Sequence, residues 1–281
     1  SEAELRFSAR EVKKLPQHIL IPGLVNLHTH AATTLLRGLR DALPVPHGSA
    51  EHLWPTEARH LSQQFVHDGT LLACAEMLLG GITTCCDGYF LASHFAQAVV
   101  DSGMRSVLGQ GVIDFPAPGV PDPSQNVAAA QGFVGQWQGR SPMLQPSIFC
   151  HSPYTCSAAT LAAAKRAADR AGVLFQIHAA ETRAEREQMV QAHGCGPIEY
   201  LERLGLLDAN TLLVHAVWVD AADIERIARS GARIAHCPES NMKLASGVAP
   251  LPAFLAAGIP VGLGTDGCAS NNDLDMFDEM R

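Results

Sequence analysis

The chain has 281 residues, of which 47% are hydrophobic and 17% are charged, and its formal net charge is −8. A chain of this length and apolar content can bury a large core as one domain or two. No apolar run approaches the roughly 20 residues of a membrane span, and the acidic balance argues against a nucleic-acid binder, which needs a basic face.

Short apolar runs alternate along the chain with longer segments of helical periodicity, such as 157–172, 184–194 and 220–231. This alternation implies parallel strands joined by helical crossovers. Eight such units predict an α/β fold, a (β/α)₈ barrel of the TIM type. A doubly wound sheet is the alternative, although no G-x-G-x-x-G loop supports it. The predicted strands are HILIPGLVNL (18–27), GITTCCD (81–87), MRSVLGQGV (104–112), MLQPSIFC (143–150), VLFQIH (173–178), TLLVH (211–215), ARIAHC (232–237) and IPVGLGTD (259–266).

Two proline-containing loops interrupt the alternation. Residues 40–60 follow the first predicted strand, and residues 115–126 follow the third. Loops that follow strands lie at the C-terminal face of such a barrel, where ligands bind. Because long loops in compact domains are usually functional, we interpret residues 40–60 as a lid or substrate loop rather than a plain surface excursion.

Histidine or aspartate stands at the end of most predicted strands. In a parallel barrel these ends form one rim, and burying several such side chains there without a metal or substrate would be costly. Imidazole and carboxylate groups suit Zn²⁺ or a similar divalent ion with an open position for water, whose pKa the ion would lower to about 7. The residues are His28, His30, Asp87, His151, His178, His215, His236 and Asp266.

Glu181 stands three residues after His178, in the sequence HAAET. A strand that turns into a loop at this point could aim the carboxylate at the bound water and at a leaving group. The alternative is a residue in the first turn of a helix, where the helix dipole favours a negative charge. Because His178 is itself a candidate ligand, we favour a proton shuttle.

The eight cysteines of the chain include no CxxC pair, which argues against a thiolate zinc site. A chain with so much apolar sequence does not need disulfides to fold. We therefore expect reduced, buried thiols in a cytoplasmic protein. The charged N-terminus, SEAELRFSAR, does not have the pattern of a signal peptide.

The chain resembles the amidohydrolase superfamily through the motifs GLVNLHTH, HAAET, LLVHAVW, HCPESNMKLASG and GLGTDGCASNNDLDMFDEMR. Within it, WPTEARHL, HSPYTCS and HCPESNMKLASG are similar to the deaminases of 5′-methylthioadenosine and S-adenosylhomocysteine, relatives of the triazine and chlorohydrolase enzymes. The resemblance spans residues 19–281. It implies a metallo-dependent hydrolase barrel with one divalent metal ion per chain, commonly Zn²⁺ with Fe²⁺ or Mn²⁺ as alternatives, in a homo-oligomer.

The resemblance also implies roles for individual residues. Glu181 matches the family's proton shuttle, which protonates the ring nitrogen and the departing ammonia. His215 matches a histidine that orients the water and stabilises the developing tetrahedral centre. Asp266 would serve both as a ligand and as a base that helps to deprotonate the water. The implied metal ligands are His28, His30, His178 and Asp266.

Five further residues are candidates for substrate binding. Glu57 in WPTEARHL matches a glutamate that accepts hydrogen bonds from ribose hydroxyls, a task suited to a carboxylate. His151 in HSPYTCS matches a substrate-contacting histidine, and His236 is a further candidate. Trp54 could form a wall against the base or thioether, or only pack within its loop. Gln110 lies where some relatives have arginines, and without a guanidinium the neutral 5′-methylthioadenosine is favoured over S-adenosylhomocysteine.

Members of this family open with a strand-rich segment before ILIPG and continue well past DEMR. We therefore interpret residues 1–18 as a remnant of an N-terminal β-sandwich segment. Residues 19–281 are interpreted as the barrel, with its last helix and the C-terminal sandwich absent, and the chain is expected to be a fragment or a truncation.

The predicted function is hydrolytic deamination of an adenine nucleoside to the inosine product and ammonia. The favoured substrate is 5′-methylthioadenosine, with S-adenosylhomocysteine and adenosine as further candidates. The first alternative is the same machinery acting on guanine, a pteridine or an s-triazine, with an amine or chloride as the leaving group. The second is a non-catalytic scaffold, which would predict damage to a ligand set that is intact here.

Overall fold

The structure is a computed structural model that describes residue 6, residues 8–39 and residues 54–281. Eight parallel strands form one sheet whose order follows the sequence. The predicted (β/α)₈ barrel is confirmed, and the doubly wound alternative is wrong. The strands are β1 (Leu24–Thr29), β2 (Ile82–Tyr89), β3 (Arg105–Val112), β4 (Leu144–Cys150), β5 (Phe175–Ala179), β6 (Thr211–His215), β7 (Arg233–His236) and β8 (Val261–Leu263).

The first strand begins at Leu24, so the prediction that it starts at residue 18 is wrong. Pro22 has no N–H to donate to a neighbouring strand. The apolar side chains before it remain exposed, at 89% for Ile19 and 98% for Leu20. Pairing starts only where Leu24 meets Ile82 of β2.

The barrel closes where the segment after β8 meets β1. Thr265 N–H donates to Asn26 Oδ1 (3.1 Å), and Asp266 N–H donates to the His28 carbonyl (2.9 Å). This approach requires glycine at position 264, since a Cβ there would lie 2.6 Å from the His28 nitrogen. Closure therefore brings Asp266 beside the histidines of β1.

Helices follow the strands and cover the barrel. In chain order within the described residues they are α1 (Trp54–His60), α2 (Gln63–Leu79), α3 (Ala92–Ser102), α4 (Asn126–Trp137), α5 (Ala158–Ala171), α6 (Arg183–His193), α7 (Pro197–Arg203), α8 (Ala221–Ser230), α9 (Pro238–Lys243), α10 (Leu251–Ala256) and α11 (Met276–Glu279). No helix in this part of the chain combines the length and apolarity that a bilayer crossing needs.

Helices α5, α6 and α8 confirm the helical segments predicted from periodicity. Each follows a residue whose side-chain oxygen accepts a hydrogen bond from an N–H of the first turn, and each ends at a left-handed glycine. These cap pairs are Ser157 and Gly172, Thr182 and Gly194, and Asp220 and Gly231.

Side chains alternate between the barrel interior and the layer under the helices. On β5, Ile177 packs into the outer core, whereas Gln176 lies inside and donates to Ser147 Oγ at 2.7 Å. His178 has the same parity as Gln176. Polar side chains that face the barrel interior near the strand ends therefore lie at the carboxyl rim.

Two predicted segments lie partly outside this description. Of the predicted lid or substrate loop, residues 40–53 are outside the described residues, and helix α1 begins at Trp54. Within the described part of 1–18, backbone turns occur without an assigned strand. The interpretation of this segment as part of a β-sandwich stays a prediction.

Candidate active site

Three histidines converge at the carboxyl rim, as predicted for the metal ligands. One ring nitrogen from each of His28, His30 and His178 lies within 4.8 Å of the others. The Nε2 atoms of His28 and His178 are 3.2 Å apart. Two nitrogen ligands at tetrahedral positions around a zinc ion lie about 3.4 Å apart. This spacing fits a shared divalent ion.

Asp266 completes this cluster from the segment after β8, which meets β1 where the barrel closes. Its Oδ1 lies 3.5 Å from Nε2 of His28 and 3.5 Å from Nε2 of His30. Its Oδ2 accepts a hydrogen bond from Ser240 Oγ (2.7 Å). The structure therefore brings all four predicted ligands together, and Ser240 fixes the orientation of the carboxylate.

The imidazoles are held in the neutral form that a metal ligand requires. Burial lowers the pKa of His28 to about 4, and burial also lowers the pKa of His30 and of His178, with neighbouring imidazoles adding to the effect. His30 Nδ1 lies 2.9 Å from the Gly88 carbonyl oxygen, which accepts a hydrogen bond from it. That bond leaves Nε2 of His30 with its lone pair toward the cluster.

Asp87, the polar residue at the end of β2, lies outside this ligand set. Its Oδ2 accepts a hydrogen bond from the Ala31 N–H at 2.7 Å. The side chain is fully buried, and burial raises the pKa of this carboxyl well above its usual range. Asp87 therefore supports the turn that follows His30.

His215 reaches the site through an unusual backbone conformation. Leu213 on the same strand packs into the outer core, so simple alternation would direct His215 outward as well. At His215, however, φ is 74°, in the left-handed region. The ring lies 5.4 Å from that of His178, and its Nδ1 is 3.0 Å from Asn241 Oδ1. The left-handed turn thus brings the imidazole to the rim.

Glu181 lies before helix α6, not within it. The N-cap is Thr182, so the alternative interpretation of Glu181 as a first-turn helix residue is wrong. Its Oε2 is 3.8 Å from Nε2 of His215, and both side chains line the same cavity. This geometry brings the predicted shuttle to the predicted cluster.

The cavity above the cluster has a volume of about 420 Å³. Its polar lining includes histidines, Glu181 and Asp266. Its apolar lining includes a set of residues that we define as the apolar wall, namely Phe90, Ile113, Phe115 and Pro116. A site with convergent polar groups facing an apolar surface is typical of small-molecule binding.

Two of the predicted substrate residues line the cavity. Glu57 lies on α1, where it accepts a hydrogen bond from the Tyr89 hydroxyl. Burial raises the pKa of Glu57 to about 7, and the bond from Tyr89 opposes that rise. His151 also lines the cavity, and its Nδ1 lies 2.9 Å from Thr155 Oγ1.

Gln110 and His236 are not among the described residues that line the cavity. Gln110 Oε1 accepts from the Ala92 N–H (3.1 Å), which places this amide at the start of α3. His236 is buried. Trp54 begins α1, but its side chain lies outside the described residues.

Sequence reasoning missed four residues that shape the site. Tyr89 bonds to Glu57, Ser240 bonds to Asp266, and Asn241 bonds to His215. Glu185 bonds to the backbone beside Glu181. Ser240 and Asn241 stand within the motif HCPESNMKLASG, which was the available signal for them.

The chain is similar in sequence to several known proteins. Residues 19–281 match the amidohydrolase family. A 5-methylthioadenosine/S-adenosylhomocysteine deaminase of Thermodesulfovibrio yellowstonii is 42% identical over 93% of this chain and 59% of its own length. A 5′-deoxyadenosine deaminase of Methanothermobacter thermautotrophicus is 40% identical over 94% of this chain and 61% of its own.

The fold has a close match among solved structures. An adenosine deaminase from Xanthomonas campestris with bound zinc superimposes with a TM-score of 0.89 at 41% identity, covering 92% of this chain and 58% of that one. The chain thus spans about 60% of the length of the curated relatives cited.

Proposed function

The chain belongs to the amidohydrolase family, and from that premise we propose that it forms the barrel of a metal-dependent hydrolase that deaminates an adenine nucleoside. The products are the corresponding inosine compound and ammonia. The observation that carries this proposal is the convergence of Glu181 and His215 on the four-ligand cluster within one cavity.

The residues around the cluster suit hydrolysis at a ring carbon. An ion held by His28, His30, His178 and Asp266, for which Zn²⁺ suits the donors best and Fe²⁺ or Mn²⁺ are alternatives, would lower the pKa of a coordinated water to about 7. Glu181 takes one proton from the water and passes it to the ring nitrogen. It then takes the second proton from the hydroxyl group of the tetrahedral carbon and delivers it to the amine, which departs as ammonia. Asp266 is the second base that we assign to the water.

His215 is placed to stabilise the developing tetrahedral carbon. Asn241 Oδ1 accepts from its Nδ1, which leaves Nε2 directed at the cavity, 3.8 Å from Glu181 Oε2. A ring held in this way needs little reorganisation as charge develops during the reaction.

The residues proposed to bind the ribose and the 5′ substituent favour a nucleoside whose 5′ substituent is uncharged. Glu57 offers carboxylate oxygens to the ribose hydroxyls. The apolar wall suits a methylthio group, and the described lining residues include no lysine or arginine that could pair with the amino-acid carboxylate of S-adenosylhomocysteine. We therefore infer 5′-methylthioadenosine as the preferred substrate.

Ammonia release by the zinc-loaded protein tests this function. The substrates are 5′-methylthioadenosine, S-adenosylhomocysteine, adenosine, guanine and an s-triazine, measured in parallel. We expect the fastest release from 5′-methylthioadenosine and none from guanine or the triazine. Release from guanine or the triazine alone would contradict the nucleoside assignment, and no release from any substrate with zinc bound would contradict the deaminase.

We also infer a cytoplasmic protein, because all eight cysteines are buried and free, as a reducing compartment predicts. The homo-oligomer implied by the family resemblance stays a prediction, which a measurement of mass in solution can check.

A further inference from the structure

Glu185 is a buried carboxylate close to the site that the proposed mechanism does not use. It lies in the first turn of α6 and is only 4% exposed. One oxygen accepts from the Ala180 N–H at 2.8 Å, and the other accepts from the Glu181 N–H at 2.7 Å. Both carboxylate oxygens are therefore committed to the backbone of the turn between β5 and α6.

These bonds extend an ordinary helix cap. Thr182 and Glu185 form the T-x-x-E pattern of a capping box, in which the glutamate normally returns to the N–H of the N-cap residue. Here its oxygens reach further, to the N–H groups of the two residues before Thr182. A helix cap alone does not require hydrogen bonds from these two residues. The contact therefore also acts on the chain before the helix.

That consequence is a left-handed residue directly before Glu181. Ala180 has φ of 54° and is fully buried, although it is not a glycine. A left-handed residue turns successive N–H groups toward one point, where they bind an anion. Glu185 supplies two acceptor oxygens for these N–H groups from within the chain and so holds Ala180 in a conformation that alanine rarely adopts.

The same turn is tied to the strand that carries His215. The Ala180 carbonyl accepts from the N–H groups of Val217 (2.9 Å) and Trp218 (2.8 Å). The chain just before Val217 is also left-handed, at His215 and Ala216. The direction of the Glu181 side chain relative to His215 therefore depends on the conformation of Ala180.

We propose that Glu185 is a positioning residue that aims Glu181 at the reacting atoms, a role that rests on the proton transfer assigned to Glu181 in the proposed function. Loss of one carboxylate oxygen would release the Glu181 N–H or the Ala180 N–H. The turn could then relax toward a right-handed conformation, and the Glu181 carboxylate would leave its place beside His215.

The test compares Glu185→Gln with a matched control, Glu187→Gln, which lies on the same helix with an exposed side chain. The glutamine side chain retains one acceptor oxygen. Its NH₂ group is a donor and cannot accept a hydrogen bond from the second backbone N–H. For the zinc-loaded protein we expect Glu185→Gln to lower kcat about 10- to 100-fold, the range expected for a misplaced catalytic group. Metal content and KM should stay within about twofold of the wild type, and Glu187→Gln should match the wild type.

A double variant separates positioning from general support of the fold. In a Glu181→Gln background no carboxylate remains to be aimed, so Glu185→Gln should lower kcat further by less than about twofold. An equal loss in both backgrounds would overturn the proposal, as would wild-type kcat in Glu185→Gln itself. If Glu185→Gln does not fold, Glu185→Asp retains the charge, shortens the reach and takes its place in the cycle.

Hydrogen exchange provides a measurement that does not depend on turnover. The amides of Ala180 and Glu181 should exchange about tenfold faster in Glu185→Gln than in the wild type, with no change in Glu187→Gln. Unchanged protection in Glu185→Gln would overturn the positioning role. A wild-type protein without deaminase activity would contradict the proposed function instead, and the exchange result would still report on the contact.

Discussion

The turns beside the metal cluster and the loop after β3 are built in different ways. On the side of the metal cluster, the turns after β5, β6 and β8 contain left-handed residues that are not glycine, namely Ala180, His215 and Asp266. The loop after β3, which carries Phe115 and Pro116 of the apolar wall, has its left-handed position at Gly119. Leu91, which follows Phe90 of the same wall, is left-handed without being a glycine.

The turns that carry reacting groups therefore differ from the loop after β3. A left-handed conformation costs about 1–2 kcal/mol for a residue with a Cβ, and it persists only where surrounding contacts enforce it. On the cluster side, Ser240, Asn241 and Glu185 provide those contacts. Glycine adopts the same conformation without that cost. The reacting groups must be aimed accurately, whereas an apolar wall needs only the right shape.

The largest expected effect comes from removing a ligand on the cluster side. His178→Ala should abolish stoichiometric zinc binding and reduce ammonia release to background, because three donors would remain for the ion. Elemental analysis and the ammonia assay measure both effects. His18→Ala, at an exposed position, is the control. Full metal content with normal turnover in His178→Ala would contradict the ligand assignment.

Removing the shuttle should have the next largest effect. Glu181→Gln should retain zinc, since Glu181 is not part of the ligand set, but lose turnover by about 10²- to 10⁴-fold, the usual contribution of a general acid–base group. The measurement is kcat at matched metal content. A variant with near-normal kcat would remove Glu181 from the mechanism.

Glu57→Ala should have a smaller effect that depends on the substrate. Hydrogen bonds to a charged group contribute about 1.5–3 kcal/mol, so kcat/KM for the nucleoside should fall about 10- to 100-fold. Free adenine has no ribose and should change little. Equal losses on both substrates would show that Glu57 does not bind the ribose.

The smallest expected effect is a pH dependence of nucleoside binding. Because burial raises the pKa of Glu57 to about 7, the carboxylate is protonated below that pH and loses acceptor strength. KM for the nucleoside should therefore rise as the pH falls through about 7. Tyr89→Phe removes the bond that lowers this pKa, so the midpoint should move to higher pH.

KM measured between about pH 6 and 9 tests this expectation, with free adenine as the comparison substrate. Two results would contradict it: a KM for the nucleoside that does not change with pH, or a midpoint that Tyr89→Phe does not move. Either would show that Glu57 titrates outside this range or does not contact the ribose.

Much of the fold, and the rim of histidines and aspartates, could be predicted from local patterns. Apolar runs of strand length alternate with capped helices, and parallel strands place all their carboxyl ends on one rim. His28 lies on β1, His30 follows the strand with the same parity, and His178 lies near the end of β5. The family resemblance then selected the four ligands among the residues of the rim.

The exact start of β1 and the roles of side chains other than the ligands were harder to predict from the sequence. Gln110 lies within β3, and its amide bonds to the start of α3 and not to the cavity. Whether a side chain at a strand end faces the cavity or the helices depends on one backbone dihedral angle. Periodicity does not report that angle.

The barrel and the polar rim follow from the amino-acid sequence, and the family resemblance names the four residues that meet there. How those groups are aimed follows from the packing of the folded chain. His215 reaches the cavity through a left-handed turn, and Asn241, Ser240 and Tyr89 hold their partners from other elements of the barrel. These contacts join residues far apart in the chain, so they exist only once the strands have closed and the helices have packed around them.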